Sequence, residues 1–92
     1  MIKTIQHKGL AEYLETGSKA KLPADLFPKI RRILLLLEAA NAPGDMNVPG
    51  FRFHPLKTPL EGFYSVRVNK NWRIVFGWER DGATEVDLVD YH

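Results

Sequence analysis

Apolar side chains recur every three or four residues in the first half of the chain and alternate in the second, so the period of burial changes near Asp45. His7 to Thr16 places Leu10, Tyr13 and Leu14 on one helical face before Gly17 and Ser18 stop the pattern. Phe27, Ile30, Leu34 and Leu37, with Ile33 beside them, mark the buried stripe of a longer second helix that ends before Pro43 and Gly44. Pro28 has no backbone N–H and belongs in that helix's first turn, with Asp25 the expected N-cap. Met1 to Gln6 is compatible with a short opening strand.

Beyond Asp45, Phe51 and Phe53 alternate with Arg52 and His54 and stop at Pro55, which predicts a strand with His54 at its end. Phe63 to Asn69 is the next strand, and Lys70-Asn71 makes a tight connection to a third in which Trp72, Ile74, Phe76 and Trp78 share one face. The Asp81-Gly82 turn signal then leads to alternating Thr84, Val86 and Leu88. The expected class is α+β: two N-terminal helices packed on an antiparallel sheet, the second helix covering one face. The other face is left for polar work, and alternation directs Arg67 and Arg73 onto it from adjacent strands.

Ninety-two residues, 45% apolar and 26% charged, suit a single globular domain over 1–92. The longest strictly apolar run, Ile33 to Leu37, is far too short to span a bilayer, and Glu12 and Glu15 interrupt the stretch where a signal peptide needs an apolar core. The expectation is a cytoplasmic protein with no membrane partner. The absence of cysteine excludes disulfides, thiolate zinc sites and cysteine nucleophiles. The net charge of +2 divides unevenly: residues 1–74 carry +6 and residues 75–92 carry −4. A basic body with an acidic tail points toward a polyanionic partner, although a solvated surface of mixed charge is the more frequent explanation of such an asymmetry.

The histidines stand at positions 7, 54 and 92, with no i,i+4 pair, so neither a metal site nor a cofactor is expected. No glycine-rich phosphate loop or nucleophile elbow is present. What remains is His54, Lys57, Arg67, Arg73, Asp90, Tyr91 and His92, all on strand ends, a neighbouring loop or the terminus. Metal-free RNA cleavage needs a base for the ribose 2′-hydroxyl, cations for the phosphorane charge and an acid for the leaving 5′-oxygen. Histidine suits both proton roles, Arg and Lys suit the charge, and Tyr can stack on a base. Each residue also has a plain reading: a solvated histidine, a solubilising lysine, an outward strand arginine, a frayed end.

The runs Phe53-His54-Pro55-Leu56-Lys57, Gly62-Phe63-Tyr64-Ser65-Val66 and Asn71-Trp72-Arg73-Ile74, with the closing Asp90-Tyr91-His92, resemble the HigB toxins of the RelE/ParE superfamily in order and spacing. The opening Met1-Ile2-Lys3 and His7-Lys8-Gly9-Leu10 extend the likeness over the whole chain. The resemblance implies a RelE-like microbial ribonuclease fold and the toxin of a type II toxin–antitoxin system. It further implies a ribosome-dependent, metal-independent mRNA interferase that cuts in the 30S A site and leaves a 2′,3′-cyclic phosphate. By matching position, His54 and His92 would transfer protons, Asp90 would tune His92, Lys57 and Arg73 would hold phosphate charge and Tyr91 would position a nucleotide. Arg67 would assist, with Lys70 beside it as a second substrate-binding candidate. The implied partners are mRNA, the ribosome and a HigA-like helix-turn-helix antitoxin. Thr58-Pro59 departs from the family, which tends to have Gly there, and restricts the loop. The competing readings are a non-catalytic ParE-like inhibitor of DNA gyrase on the same scaffold and a plain RNA-binding module.

Overall fold

A computed structural model describes residues 1–90. Helices α1 (Lys8–Thr16) and α2 (Phe27–Ala39) and a 3-10 turn (Pro43–Met46) precede four strands: β1 (His54–Pro55), β2 (Phe63–Arg67), β3 (Trp72–Glu79) and β4 (Gly82–Asp90). The strands form one antiparallel meander in the order β1-β2-β3-β4. The α+β expectation holds, and the helix and strand positions follow the two burial periods.

Local chemistry accounts for most boundaries. His7 caps α1, its Nδ1 accepting the Leu10 N–H at 3.2 Å, and Gly17 closes the helix in the left-handed region at φ 82°. Pro28 lies in the first turn of α2 as expected, but Asp25 does not cap it. The cap position falls on Leu26, in a helical conformation and without a side-chain bond. Residues 23–26 already turn, with Leu26 N–H donating to the Pro23 carbonyl at 3.1 Å and Ile30 N–H to that of Leu26 at 3.0 Å. An Asp cap needs an extended backbone, and the chain enters α2 without one.

The opening segment runs parallel to β4 through isolated bridges, Ile2 to Ala83 and Ile5 to Val86, and so covers an edge of the sheet without forming a continuous strand. The predicted strand from Phe51 shrinks to two residues. Phe51 turns into the core and Arg52 takes a left-handed φ of 47°, which breaks the alternation before His54. Pro55 is tolerated because β1 is the free edge of the sheet. Between β2 and β3, Asn69 Oδ1 accepts the N–H groups of both Asn71 and Trp72 at 2.8 Å, which fixes the tight turn.

The inner face of the sheet presents Val66, Ile74, Phe76 and Leu88 to Ile30, Ile33, Leu34 and Leu37 of α2, all but Leu88 and Leu34 fully buried. Tyr64 stands between Phe53 and Phe76, with ring centroids 5.7 Å away on each side. Among the described residues no helix is long and apolar enough to cross a membrane.

Candidate active site

Directly opposed residues of an antiparallel pair share a face, so the strand register determines what the outer face carries. One row runs His54, Ser65, Val75, Asp87 across β1 to β4, and the next runs Arg67, Arg73, Val89 across β2 to β4. His54 is paired directly with Ser65, and Arg73 stands one diagonal step from Ser65 on the next strand, so all three share the outer face. Position alone in the sequence shows only that they stand on strands.

His54 is exposed at the sheet edge, and its Nδ1 lies 3.2 Å from the Arg52 carbonyl. A carbonyl oxygen can only accept, so this bond requires a proton on Nδ1 and leaves the lone pair of the neutral ring on Nε2. The contact with the Arg52 carbonyl therefore favours the Nδ1–H tautomer of the His54 ring. Arg73 is half-buried and donates from Nη1 to Ser65 Oγ at 3.0 Å. Ser65 is fully buried, and the hydroxyl it holds against the guanidinium is satisfied by this bond.

Ser65 is a candidate position that sequence reasoning passed over. The signal available was a small polar residue at an outward strand position between Tyr64 and Val66, in line with Arg67. Its value shows only when register sets it between His54 and Val75, beneath Arg73.

The remaining candidates are distributed around this pair. Lys57 is exposed in the β1–β2 connection, where it and His54 line a surface depression of about 270 Å³. Arg67 opposes Arg73 in register, but its charge also falls on Lys29 of α2. Burial, then Arg32, then Arg67 hold the Lys29 ammonium below the usual lysine range, which marks a cationic rim where α2 meets β2. Lys70 is exposed at the β2–β3 turn, at the same end of the sheet as Arg67. Asp90 is the exposed last residue of β4 and opposes Trp72, next to the Val89–Arg73 pair. Tyr91 and His92 lie outside the described residues. Thus the fold gathers His54, Lys57, Ser65 and Arg73 about one end of the outer face, with Arg67 and Lys70 at its cationic margin.

This arrangement offers an imidazole nitrogen for proton exchange and cationic groups that can hold an anion on the same face. Among the described residues, no three His, Asp or Glu side chains are grouped to hold a metal ion.

Residues 3–92 match the family model described as the RelE-like toxin of type II toxin–antitoxin system HigB. The chain belongs to the HigB-like toxin family. It is 36% identical to the Endoribonuclease HigB of Proteus vulgaris over 92 residues, covering all of both chains. Its fold is also that of more distant toxins. The YoeB/ParE toxin of Agrobacterium tumefaciens superposes with a TM-score of 0.65 at 18% identity, covering 100% of this chain and 99% of that one. The YoeB–YefM complex from Staphylococcus aureus gives 0.64 at 20% identity, with 100% and 98% coverage. The RelE-like fold expected of a HigB-like toxin is thereby established from two directions.

Proposed function

We propose that this HigB-like toxin is an endoribonuclease that cuts mRNA in the ribosomal A site without a metal. The proposal is carried by the pairing of His54, whose Nδ1 lies against the Arg52 carbonyl, with Ser65, whose hydroxyl holds the Arg73 guanidinium. The full-length likeness to a protein named an endoribonuclease supports it.

In the proposed step, His54 Nε2 takes the proton of a ribose 2′-hydroxyl, and the oxygen so released attacks the adjacent phosphorus. The bond from phosphorus to O5′ breaks, giving a 2′,3′-cyclic phosphate and a 5′-hydroxyl. His92 supplies the proton that O5′ acquires, with Asp90 orienting its ring. Arg73 and Lys57 stabilise the charge that grows on the phosphorane oxygens. Ser65 is a positioning residue that acts through Arg73. Arg67 and Lys70 bind the RNA backbone, and Tyr91 positions a nucleotide by stacking. The side chains thus fill every proton and charge role themselves.

A chain this small has little surface with which to hold a long substrate, and the ribosome would present the codon already ordered. Dependence on the ribosome places the activity in the cytoplasm. The partner in the resting cell is a HigA-like helix-turn-helix antitoxin, and the likeness to a toxin solved with its antitoxin YefM supports partnership of that general kind.

The deciding experiment incubates the purified toxin with labelled mRNA, free and on programmed ribosomes, and maps the new ends. Cuts within the A-site codon, bearing a cyclic phosphate and dependent on the ribosome, are expected. Intact mRNA accompanied by gyrase-dependent DNA breaks would overturn the proposal in favour of a ParE-like inhibitor. Ribosome binding with intact RNA and DNA would reduce the protein to a binding module.

A further inference from the structure

The outer face departs from the alternation rule in one place. Phe63, Val75 and Val89 occupy outward positions on three adjacent strands where a solvated sheet would carry polar residues, and all three are only half-buried. Together with Leu56 from the β1–β2 connection they line a cavity of about 300 Å³. Gly77 opposes Phe63 and leaves room for its ring, since a Cβ there would stand 3.3 Å from Phe63 and 2.8 Å from Thr84 Oγ1. Glu85 and Asp87 supply carboxylates, and Gln6 a single amide, to the same lining.

A bulge brings the two acids to this place. Register passes from Val75–Asp87 to Gly77–Thr84, so that Glu85 and Val86 together oppose Phe76, and Glu85 takes a left-handed φ of 50°. Its N–H is held by Thr4 Oγ1 at 2.7 Å. One oxygen of Asp87 accepts the Leu88 N–H at 2.9 Å. The second oxygen and both of Glu85 have further acceptor capacity.

We infer that this groove is a nucleobase subsite, in which Glu85 and Asp87 favour bases bearing an exocyclic amino group over uracil. The inference rests on the ribonuclease reading above and adds the residues that would choose the base. Its position is the first argument: Val89 directly opposes Arg73, and Val75 directly opposes Ser65, so the groove begins one strand position from the proposed phosphate ligand. A nucleotide joins an anion to a flat apolar ring at such a spacing. The second argument is complementarity. Apolar and aromatic groups suit the faces of a base, and carboxylates accept from the amino groups of adenine, cytosine and guanine. Uracil would offer the same acids a single N3–H flanked by two carbonyl oxygens, against the amino donors of the other bases. Carboxylates so close to a phosphate site would otherwise only repel RNA.

The test compares wild type with Glu85→Gln/Asp87→Asn on ribosomes programmed with mRNAs that vary the A-site codon. Wild type should disfavour uracil at one codon position by on the order of tenfold, and the double variant should lose most of that discrimination because amides donate as well as accept. The same profile in both proteins overturns the inference. A second readout does not need cleavage: amide chemical shifts of wild type are followed on adding 2′-O-methyl trinucleotides that contain adenine or only uracil. Shifts at Phe63, Val75 and Val89 that are larger with adenine support the subsite. No shift there with either RNA overturns it, and protection of those amides by the antitoxin alone would make the groove a protein-docking face. Absence of cleavage by wild type with adenine-selective shifts intact would count against the ribonuclease reading while leaving the base site standing.

Discussion

The two faces of the β-sheet are built by the same strands and put to opposite uses. On the inner face, Val66, Ile74 and Phe76 are fully buried against α2, and the polar atoms of the rings packed around them, such as the Trp78 Nε1 that donates to the Arg80 carbonyl, lie at the periphery. On the outer face, His54 and Lys57 are exposed, Arg67 and Arg73 are half-buried, and the buried side chain of Ser65 is polar and bonded to Arg73. The inner face supplies apolar burial, which is non-directional and tolerates substitution by volume. The outer face depends on directed bonds, whose value is lost with a small displacement. The difference teaches that the core could be exchanged for another of equal volume while the site could not.

Substitutions on each face sharpen this contrast. His54→Gln should slow RNA cleavage by roughly 10²–10⁴-fold, the range for losing a general base, while the thermal melting curve stays close to wild type. Single-turnover cleavage and calorimetry measure the pair, and a variant that melts early but cleaves normally would break the comparison. Phe76→Ala should do the reverse, costing about 3–5 kcal/mol of stability by denaturant unfolding because it empties a fully buried site.

Arg73→Ala should lower the cleavage rate on the order of a hundredfold, and Ser65→Ala by less, since the hydroxyl acts only through the guanidinium. The pair is checked as a double-mutant cycle: the Ser65 effect on rate should vanish once Arg73 is gone, whereas additive losses would show that Ser65 serves packing alone. Asn69→Ala should destabilise by about 1 kcal/mol through the β2–β3 turn, read as a shift in the urea midpoint.

The smallest effect concerns the exposed Lys3–Asp81 pair at 3.3 Å, remote from both faces. The hydrogen bond from Lys3 is the main cause that holds the Asp81 carboxyl below its usual range. A depressed carboxyl favours the folded state when ionised, so its contribution is present above the unfolded value near 3.9 and is lost as pH falls through the folded value. Asp81→Asn should therefore flatten slightly the acid limb of stability against pH and leave cleavage unchanged.

Much of this molecule was legible from spacing. The limits of α1 and of β3, the place of Pro28 and the Lys70-Asn71 turn follow from the period of apolar residues and from turn chemistry, both local in the chain. Asp25 and the strand expected at Phe51 failed for a shared reason. Each depends on backbone angles imposed from outside the segment, by the turn at residues 23–26 in one case and by the burial of Phe51 in the other. His54, Lys57, Arg67, Arg73 and Asp90 were legible as residue types suited to RNA chemistry, and their outward direction on strands was legible for the arginines alone.

The sequence by itself determined the two periods, hence the helices, the meander and a sheet with one face left uncovered, because periodicity needs only neighbours along the chain. It also determined membership of the HigB-like family, through motifs whose order and spacing survive without coordinates. Only the tertiary structure decided which outward residues meet. Ser65 lies beneath Arg73, Glu85 and Asp87 share a wall with Phe63, and the Arg52 carbonyl favours the Nδ1–H tautomer of His54. Those meetings depend on strand register, on one bulge and on one left-handed residue, and a shift of a single position in any of them would turn the same side chains to the other face.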